Sequence, residues 1–161
     1  MAGNGNLLIG FGTETGNSEL LAMDAHEKAS SMGIESKCAC LDEIESSDLM
    51  EAGYLIIVCS TWGDGEQPDN AQDLYDAVEE LGDDDLSGVE FAVLALGDTA
   101  FDLFCEAGIQ WDEVLESKGG KRFYDRIDCD TDYEDEAEEW IDAVLEPVSY
   151  THLTLPTIVS V

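Results

Sequence analysis

The chain is predicted to form an α/β domain in which a five-stranded parallel sheet lies between two layers of helices. Apolar runs of strand length alternate along the sequence with segments of helical spacing, a pattern typical of a parallel sheet covered on both faces. Three of the apolar runs lead directly into loops, at residues 13–18, 60–66 and 96–105. The predicted strand order is 2-1-3-4-5, which brings those loops together at one edge of the sheet.

Each predicted element rests on its own apolar pattern. The predicted strands are residues 7–11, 34–40, 54–59, 91–96 and 121–127. The predicted helices are residues 17–31, a short helix within 41–50, residues 71–81, a helix around 109–115 and residues 132–145. Residues 54–59 and 91–96 are apolar throughout, which favours central positions in the sheet.

Length and composition favour one domain, which we place at residues 1–146 of the 161. Residues 147–161 contain no Asp or Glu, although the whole chain has 38 of them. That abrupt change indicates a non-native tail, similar to read-through of cloning or adapter DNA. The alternative, a genuine tail or an additional strand, stays open.

The charge is strongly acidic, with 6 Lys and Arg against 38 Asp and Glu and a formal net charge of −32. Nucleic acid and anionic membranes are poor partners for such a surface, because both are bound through Lys and Arg. A partner protein with a basic docking patch suits it. Adaptation to high salt would also explain the excess of carboxylates, and the two explanations are compatible.

The cysteine pattern is typical of reduced, mostly buried thiols in a cytoplasmic protein, and the chain is expected to be a monomer. The five cysteines are odd in number and form no C-x-x-C motif, and Cys38 and Cys40 share one face of a strand. Neither histidine stands at zinc-ligand spacing to them, so no metal site is predicted. The sequence also shows no signal peptide and no run long enough to span a membrane.

The first loop, T-E-T-G-N-S at 13–18, is predicted to bind a phosphate. It precedes a helix, whose first N–H groups are unpaired and carry partial positive charge. Gly16 allows close approach of the backbone, and the neighbouring hydroxyl and amide side chains add donors. The loop has no Lys or Arg, which favours a phosphate monoester held by neutral groups. An ordinary capped helix is the alternative.

The other two loops each carry an aromatic residue. S-T-W-G-D-G-E at 60–66 places Trp62 after the central strand, and L-G-D-T-A-F-D-L-F-C at 96–105 places Phe101 at a similar point. A large exposed ring favours contact with a partner, so the two rings are predicted to stack on a planar heterocycle. Phe104 is instead expected to pack in the core.

With these motifs the sequence resembles the flavodoxin family, and within it the FMN domains of diflavin reductases of the sulfite reductase type. T-E-T-G-N-S resembles the family's phosphate loop, and S-T-W-G-D-G-E-Q-P-D-N its second loop. L-G-D-T-A-F-D-L-F-C-E-A-G resembles the third loop, and D-R-I-D-C-D-T-D-Y at 125–133 the segment below the flavin. The resemblance covers about residues 6–145 and implies a flavodoxin-like three-layer sandwich.

The resemblance further implies an FMN-binding electron carrier of the oxidoreductase class, with no catalytic side chain of its own. It would pass single electrons between a reductase and an acceptor protein, and a carbonyl near Gly63 would accept a hydrogen bond from flavin N5. The implied cofactor-binding residues are Thr13, Glu14, Thr15, Gly16, Asn17, Ser18, Ser60, Thr61, Trp62, Gly63, Asp64, Gly65, Leu96, Gly97, Asp98, Thr99, Ala100, Phe101, Asp102, Leu103, Phe104 and Cys105.

Three alternatives remain beside the carrier. The chain could be the FMN domain of a longer diflavin reductase, since no FAD- and NADPH-binding domain accompanies it, or a non-redox accessory module. Asp128, Asp130, Asp132 and Glu139 have the spacing of a calcium loop, but Tyr133 stands where that loop requires Gly. A response-regulator receiver and a hydrolase are disfavoured, because the phosphorylatable Asp and the G-x-S-x-G motif are absent from the sequence.

Overall fold

A computed structural model of the chain describes residues 7–12, 16–61, 67–97, 105–130 and 132–160. Within these ranges, six strands and five α-helices alternate. The strands are β1 (Leu7–Gly12), β2 (Ser36–Cys40), β3 (Tyr54–Ser60), β4 (Glu90–Leu96), β5 (Lys121–Arg122) and β6 (Ile127–Cys129). The helices are α1 (Asn17–Ser31), α2 (Ser46–Glu51), α3 (Asp69–Glu79), α4 (Glu106–Ser117) and α5 (Glu134–Ser160).

The sheet is parallel throughout and has the order β2-β1-β3-β4-β5, with β6 also paired to β4. The predicted strand order is therefore confirmed. β3 and β4 are buried at every position except Ser60 and Glu90, in agreement with their continuous apolar sequences. Fully paired strands with apolar side chains on both faces need a helical layer on each side.

One face of the sheet is covered by α1 and α5, and the other by α2, α3 and α4. Helix α1 lies against the sheet through Ala22, Ala25 and Ala29, which are fully buried. On the opposite face the indole of Trp111 is also fully buried and meets the ring of Tyr75 edge-on, with ring centres 5.3 Å apart. The three-layer arrangement expected from the sequence is thus present.

The prediction of one fifth strand over 121–127 is wrong. β5 pairs with the start of β4 and β6 with its end, at Leu94–Leu96. Between them the carbonyl of Asp125 accepts a hydrogen bond of 2.8 Å from the indole N–H of Trp140 in α5. Because that carbonyl is bonded to a helix on the sheet's face, the strand is interrupted there.

Two helices also differ from their predicted extents. The short helix within 41–50 is divided into a 3-10 turn at Leu41–Glu43 and α2, and the backbone N–H of Glu45 donates to Asp48 Oδ2 at 3.0 Å between them. The last helix continues from Glu134 to Ser160 instead of ending at 145, and Val148 is fully buried against α1 and the sheet. The foreign origin of residues 147–161 stays a prediction. Among the described residues, no helix is both long and apolar enough to cross a membrane.

Candidate functional site

The three loops singled out from the sequence leave the sheet at the same edge. They follow β1, β3 and β4, and the last residues of these strands are in register: Gly12 pairs with Cys59, and Ser60 with Leu96. Neighbouring strands lie about 4.8 Å apart, so the three loop origins span about 10 Å of sheet edge. This width suits a single small ligand lying across the strand ends.

The structure describes only part of the predicted site. The predicted residues within the described ranges are Gly16, Asn17, Ser18, Ser60, Thr61, Leu96, Gly97 and Cys105. The predicted residues outside the described ranges are Thr13, Glu14, Thr15, Trp62, Gly63, Asp64, Gly65, Asp98, Thr99, Ala100, Phe101, Asp102, Leu103 and Phe104. The roles assigned to this second group, including the two stacking rings and the Gly63 carbonyl, stay predictions.

The first loop ends in an open helix N-terminus. Gly16 is the N-cap of α1 and has φ of +95°, a left-handed conformation that glycine adopts without strain. Among the described residues no side-chain cap is seen at this end, and a Cβ placed on Gly16 would meet none of their atoms within 4 Å. The first N–H groups of a helix are the donors that a bound anion uses.

Ser18 lies in that same first turn and has the most informative side chain of the site. The residue is fully buried, and its Oγ has no hydrogen-bond partner among the described residues. A buried hydroxyl without a partner costs about 1–3 kcal/mol, so such a group is normally paired. An unpaired donor beside an uncapped helix N-terminus fits a bound phosphate oxygen.

The electrostatics of this edge are those of a neutral donor site in an acidic protein. All six basic residues of the chain lie outside the three loops and outside the first turns of α1, α3 and α4. Those first turns instead carry Glu19, Asp69 and Glu106. That this edge holds a phosphate with backbone and hydroxyl donors stays a prediction.

The second loop begins with two hydroxyl residues that are already bonded within the protein. Ser60 Oγ donates to the carbonyl of Gly12 at 3.3 Å, which joins the ends of β3 and β1. Thr61 donates its N–H to the carbonyl of Leu96, and its Oγ1 accepts the N–H of Ala107 at 3.0 Å. Through the Ser60 side chain and the Thr61 backbone N–H, these two residues therefore connect the three loop origins.

The base of the third loop is closely packed. Gly97 donates its N–H to the carbonyl of Cys129 at 2.9 Å, and a Cβ on Gly97 would lie 2.7 Å from the backbone nitrogen of Cys105. Cys105 has φ of +57° and a fully buried thiol, which contacts the carbonyls of Ala95 and Cys129. Burial raises the pKa of this thiol to about 12. Cys105 fixes the loop base as a neutral thiol.

Sequence reasoning missed Gln67, which is 5% exposed and lies directly after the second loop. Its Nε2 donates to the carbonyl of Ala107 at 3.0 Å and to Gln110 Oε1 at 3.1 Å. Its Oε1 accepts the indole N–H of Trp111 at 2.9 Å and faces Cys59 Sγ at 3.6 Å. The only signal in the sequence was an amide next to a Gly-rich loop, which does not reveal partners some 40 residues away.

Comparison with known proteins agrees with this geometry. The sequence model of the flavodoxin family matches residues 9–140. A flavodoxin of Streptococcus pneumoniae TIGR4 superposes with a TM-score of 0.80 at 30% identity, covering 90% of this chain and 98% of that one. The chain belongs to the flavodoxin family, and FMN is its cofactor.

The similar curated proteins are much longer than this chain. The sulfite reductase [NADPH] flavoprotein alpha-component of Bacillus subtilis is 37% identical over 136 residues, which are 84% of this chain and 22% of that protein. The protein of the same name from Vibrio parahaemolyticus is 37% identical over 147 residues, or 91% of this chain and 24% of that protein. The chain thus spans about a quarter of the length of these relatives.

Proposed function

We propose that this domain binds one FMN at the carboxyl edge of its sheet and carries single electrons between a reductase and an acceptor protein. The observation that supports it most directly is the buried hydroxyl of Ser18 at the N-terminus of α1, which has no hydrogen-bond partner among the described residues. Bound FMN supplies the one-electron chemistry, and the protein supplies binding, orientation and electrostatic field.

The chain's own residues would divide these tasks between them. The first turn of α1, with Gly16 and Ser18, would hold the phosphate, and Trp62 and Phe101 would enclose the ring system. Thr61 and Gln67 bond the start and the end of the second loop to α4, the helix that follows the third loop, which limits how far those loops separate. No side chain is required as a nucleophile or a general base.

Docking would occur against a basic patch on the partner. Acidic residues occupy the first turns of the helices that face this edge, and every Lys and Arg lies elsewhere in the sequence. Complementary charge mainly raises the rate of association and falls off with salt. The proposal describes a monomer in the cytoplasm, where the five free cysteines would remain reduced.

A second candidate function is that of the FMN domain within a longer NADPH-dependent flavoprotein. It is favoured by the two sulfite reductase flavoproteins that are 37% identical to the chain and match it over 22% and 24% of their own lengths. In that case the electron donor is a reductase domain with FAD and NADPH sites. A non-redox accessory role is the remaining candidate.

The deciding experiment is an FMN titration followed by stepwise anaerobic reduction. The carrier proposal expects flavin absorbance, quenched flavin emission and a long-wavelength band that appears near half-reduction and then disappears. Trp62→Ala should weaken FMN binding and shift the potentials, whereas an exposed aliphatic control, Leu20→Ala, should leave both unchanged. A protein that remains colourless in excess FMN contradicts the proposal.

The two redox candidates are distinguished by the electron donor. An NADPH-dependent diflavin reductase lacking its own FMN domain should reduce the bound FMN rapidly if the chain is such a domain. A free carrier should instead accept electrons from a separate ferredoxin–NADP-type reductase. Flavin that binds but is reduced by neither, even at low salt, would favour the accessory role.

A further inference from the structure

An ion-pair network connects helix α4 to strand β6 beneath the third loop. Its centre is Asp112 of α4, which is 5% exposed. One carboxylate oxygen accepts Arg122 Nε at 2.8 Å, and the other accepts Arg126 Nη1 at 2.8 Å. Two of the chain's six basic residues are therefore directed at one buried carboxylate.

The two arginines connect Asp112 to different parts of the sheet. Arg122 belongs to β5, which pairs with the start of β4, and its guanidinium lies 5.5 Å from the centre of the Phe91 ring. Arg126 also donates to both oxygens of Asp128 in β6, at 2.7 and 3.3 Å. β6 pairs with the last residues of β4, directly below the third loop.

The connection continues from Asp128 to the base of that loop through the adjacent residue. The carbonyl of Cys129 accepts the N–H of Gly97 at 2.9 Å and the thiol of Cys105 at 3.5 Å. Gly97 and Cys105 are the described residues that border the loop on either side. The position of β6 relative to α4 thus sets the position of both loop ends.

We propose that Arg126 is a positioning residue for the FMN site, because it connects Asp112 of α4 to Asp128 of β6 and so holds the base of the third loop in place. Arg122 shares the same carboxylate and also donates to Glu116 of α4 at 3.4 and 3.5 Å, but it belongs to β5, which pairs with the opposite end of β4, and it contributes to stability alone. The inference rests on FMN binding by the domain and not on the identity of its redox partners.

Arg126→Gln tests the proposal, with Arg122→Gln as a matched control that removes the other guanidinium from Asp112. We expect Arg126→Gln to raise the FMN dissociation constant about tenfold, equivalent to one lost hydrogen bond to a charged group. Arg122→Gln should lower the urea midpoint and leave the FMN dissociation constant within about twofold of the wild-type value. Changes of that size are expected from weak coupling between distant sites. Flavin fluorescence quenching measures both constants.

A second readout uses the protein without flavin. Amide hydrogen exchange at Gly97 should accelerate in apo Arg126→Gln and remain unchanged in apo Arg122→Gln, because only β6 provides the carbonyl that Gly97 bonds. Arg126→Lys retains the charge but not the paired hydrogen bonds, and should restore affinity only in part. If Arg126→Gln does not fold, Asp128→Asn takes its place, since it weakens the connection to β6 alone.

Equal losses of FMN affinity in the two arginine variants would overturn the proposal, because the effect would then follow stability. Wild-type affinity in Arg126→Gln, or in Asp128→Asn if that variant is used, would overturn it as well. Failure of the unmodified protein to bind FMN would instead contradict the function proposed above. The two failures are thereby distinguished by the wild-type titration.

Discussion

Replacing Ser18 with Ala should raise the stability of the apoprotein and weaken its affinity for FMN. The Oγ of Ser18 is buried in the first turn of α1 without a partner among the described residues. In the apoprotein the hydroxyl is therefore desolvated without compensation. In the FMN complex it would donate to the phosphate, and the substitution would remove that bond.

The expected magnitudes follow from these two states. Removing an unsatisfied buried hydroxyl recovers about 1–3 kcal/mol, and the better helix propensity of Ala adds about 0.5 kcal/mol. For a domain of this size that corresponds to an increase of about 3–14 °C in the apoprotein's melting temperature. Loss of a hydrogen bond to a dianion costs about 1.5–3 kcal/mol, or about 10- to 150-fold in the dissociation constant.

Differential scanning calorimetry of the apoprotein and isothermal titration with FMN measure the two effects. Ser31→Ala is the matched control, since Ser31 is an exposed residue in the last turn of the same helix and donates to the carbonyl of Lys28 at 2.8 Å. It should leave affinity unchanged. A less stable Ser18→Ala apoprotein with wild-type affinity would refute the reasoning, because the hydroxyl would then be bonded within the protein.

Three further outcomes are expected. Burial raises the pKa of Cys105 to about 12 and of Cys129 to about 11, so the unfolded state releases thiol protons first as pH rises. The contribution of these two thiols to the free energy of unfolding should be fully present below about pH 8.5 and then fall by about 3 kcal/mol per pH unit. Urea midpoints measured under reductant would show this, and a flat profile from pH 8 to 10 would contradict it. Gly108→Ala places a Cβ in direct clash with Ala95 Cβ and should cost about 2–3 kcal/mol. Gly88→Ala, whose Cβ would meet no described atom within 4 Å, should be nearly neutral, and equal urea midpoints for the two variants would contradict the packing. Raising KCl from about 0.1 to about 1 M shortens the Debye length to about 3 Å and so screens repulsion between like charges. Because the chain has a net charge of −32, its melting temperature should rise, and a decrease would contradict the role of self-repulsion.

Much of the fold follows from local patterns in the sequence. The apolar runs at 54–59 and 91–96 identify β3 and β4, and the apolar spacing at 17–31 gives the observed limits of α1. The fifth strand was predicted wrongly because its interruption depends on Trp140, which bonds the carbonyl of Asp125 from another helix. A pattern of neighbouring residues contains no information on that contact.

The residues of the candidate site also fall into two groups, those that the local sequence predicts and those that depend on tertiary packing. The place of Gly16 and Ser18 at the start of α1 could be predicted, because a helix N-terminus and its first residues are adjacent in sequence. Gln67 and Arg126 could not, since their partners Ala107 and Asp112 are brought close only by packing of α4 against the sheet. Such supporting residues have ordinary sequence surroundings, and their roles become visible only with the tertiary structure.

The saturated amide of Gln67 has a consequence for how the second and third loops respond to mutation. Both of its donor hydrogens and both acceptor directions are occupied, by Ala107, Gln110, Trp111 and Cys59. The end of the second loop and the start of α4, which follows the third loop, are consequently bonded to the same side chain. Substitutions in the two loops should therefore have non-additive effects on affinity, and Gln67→Glu, which lacks the donors, should abolish the coupling.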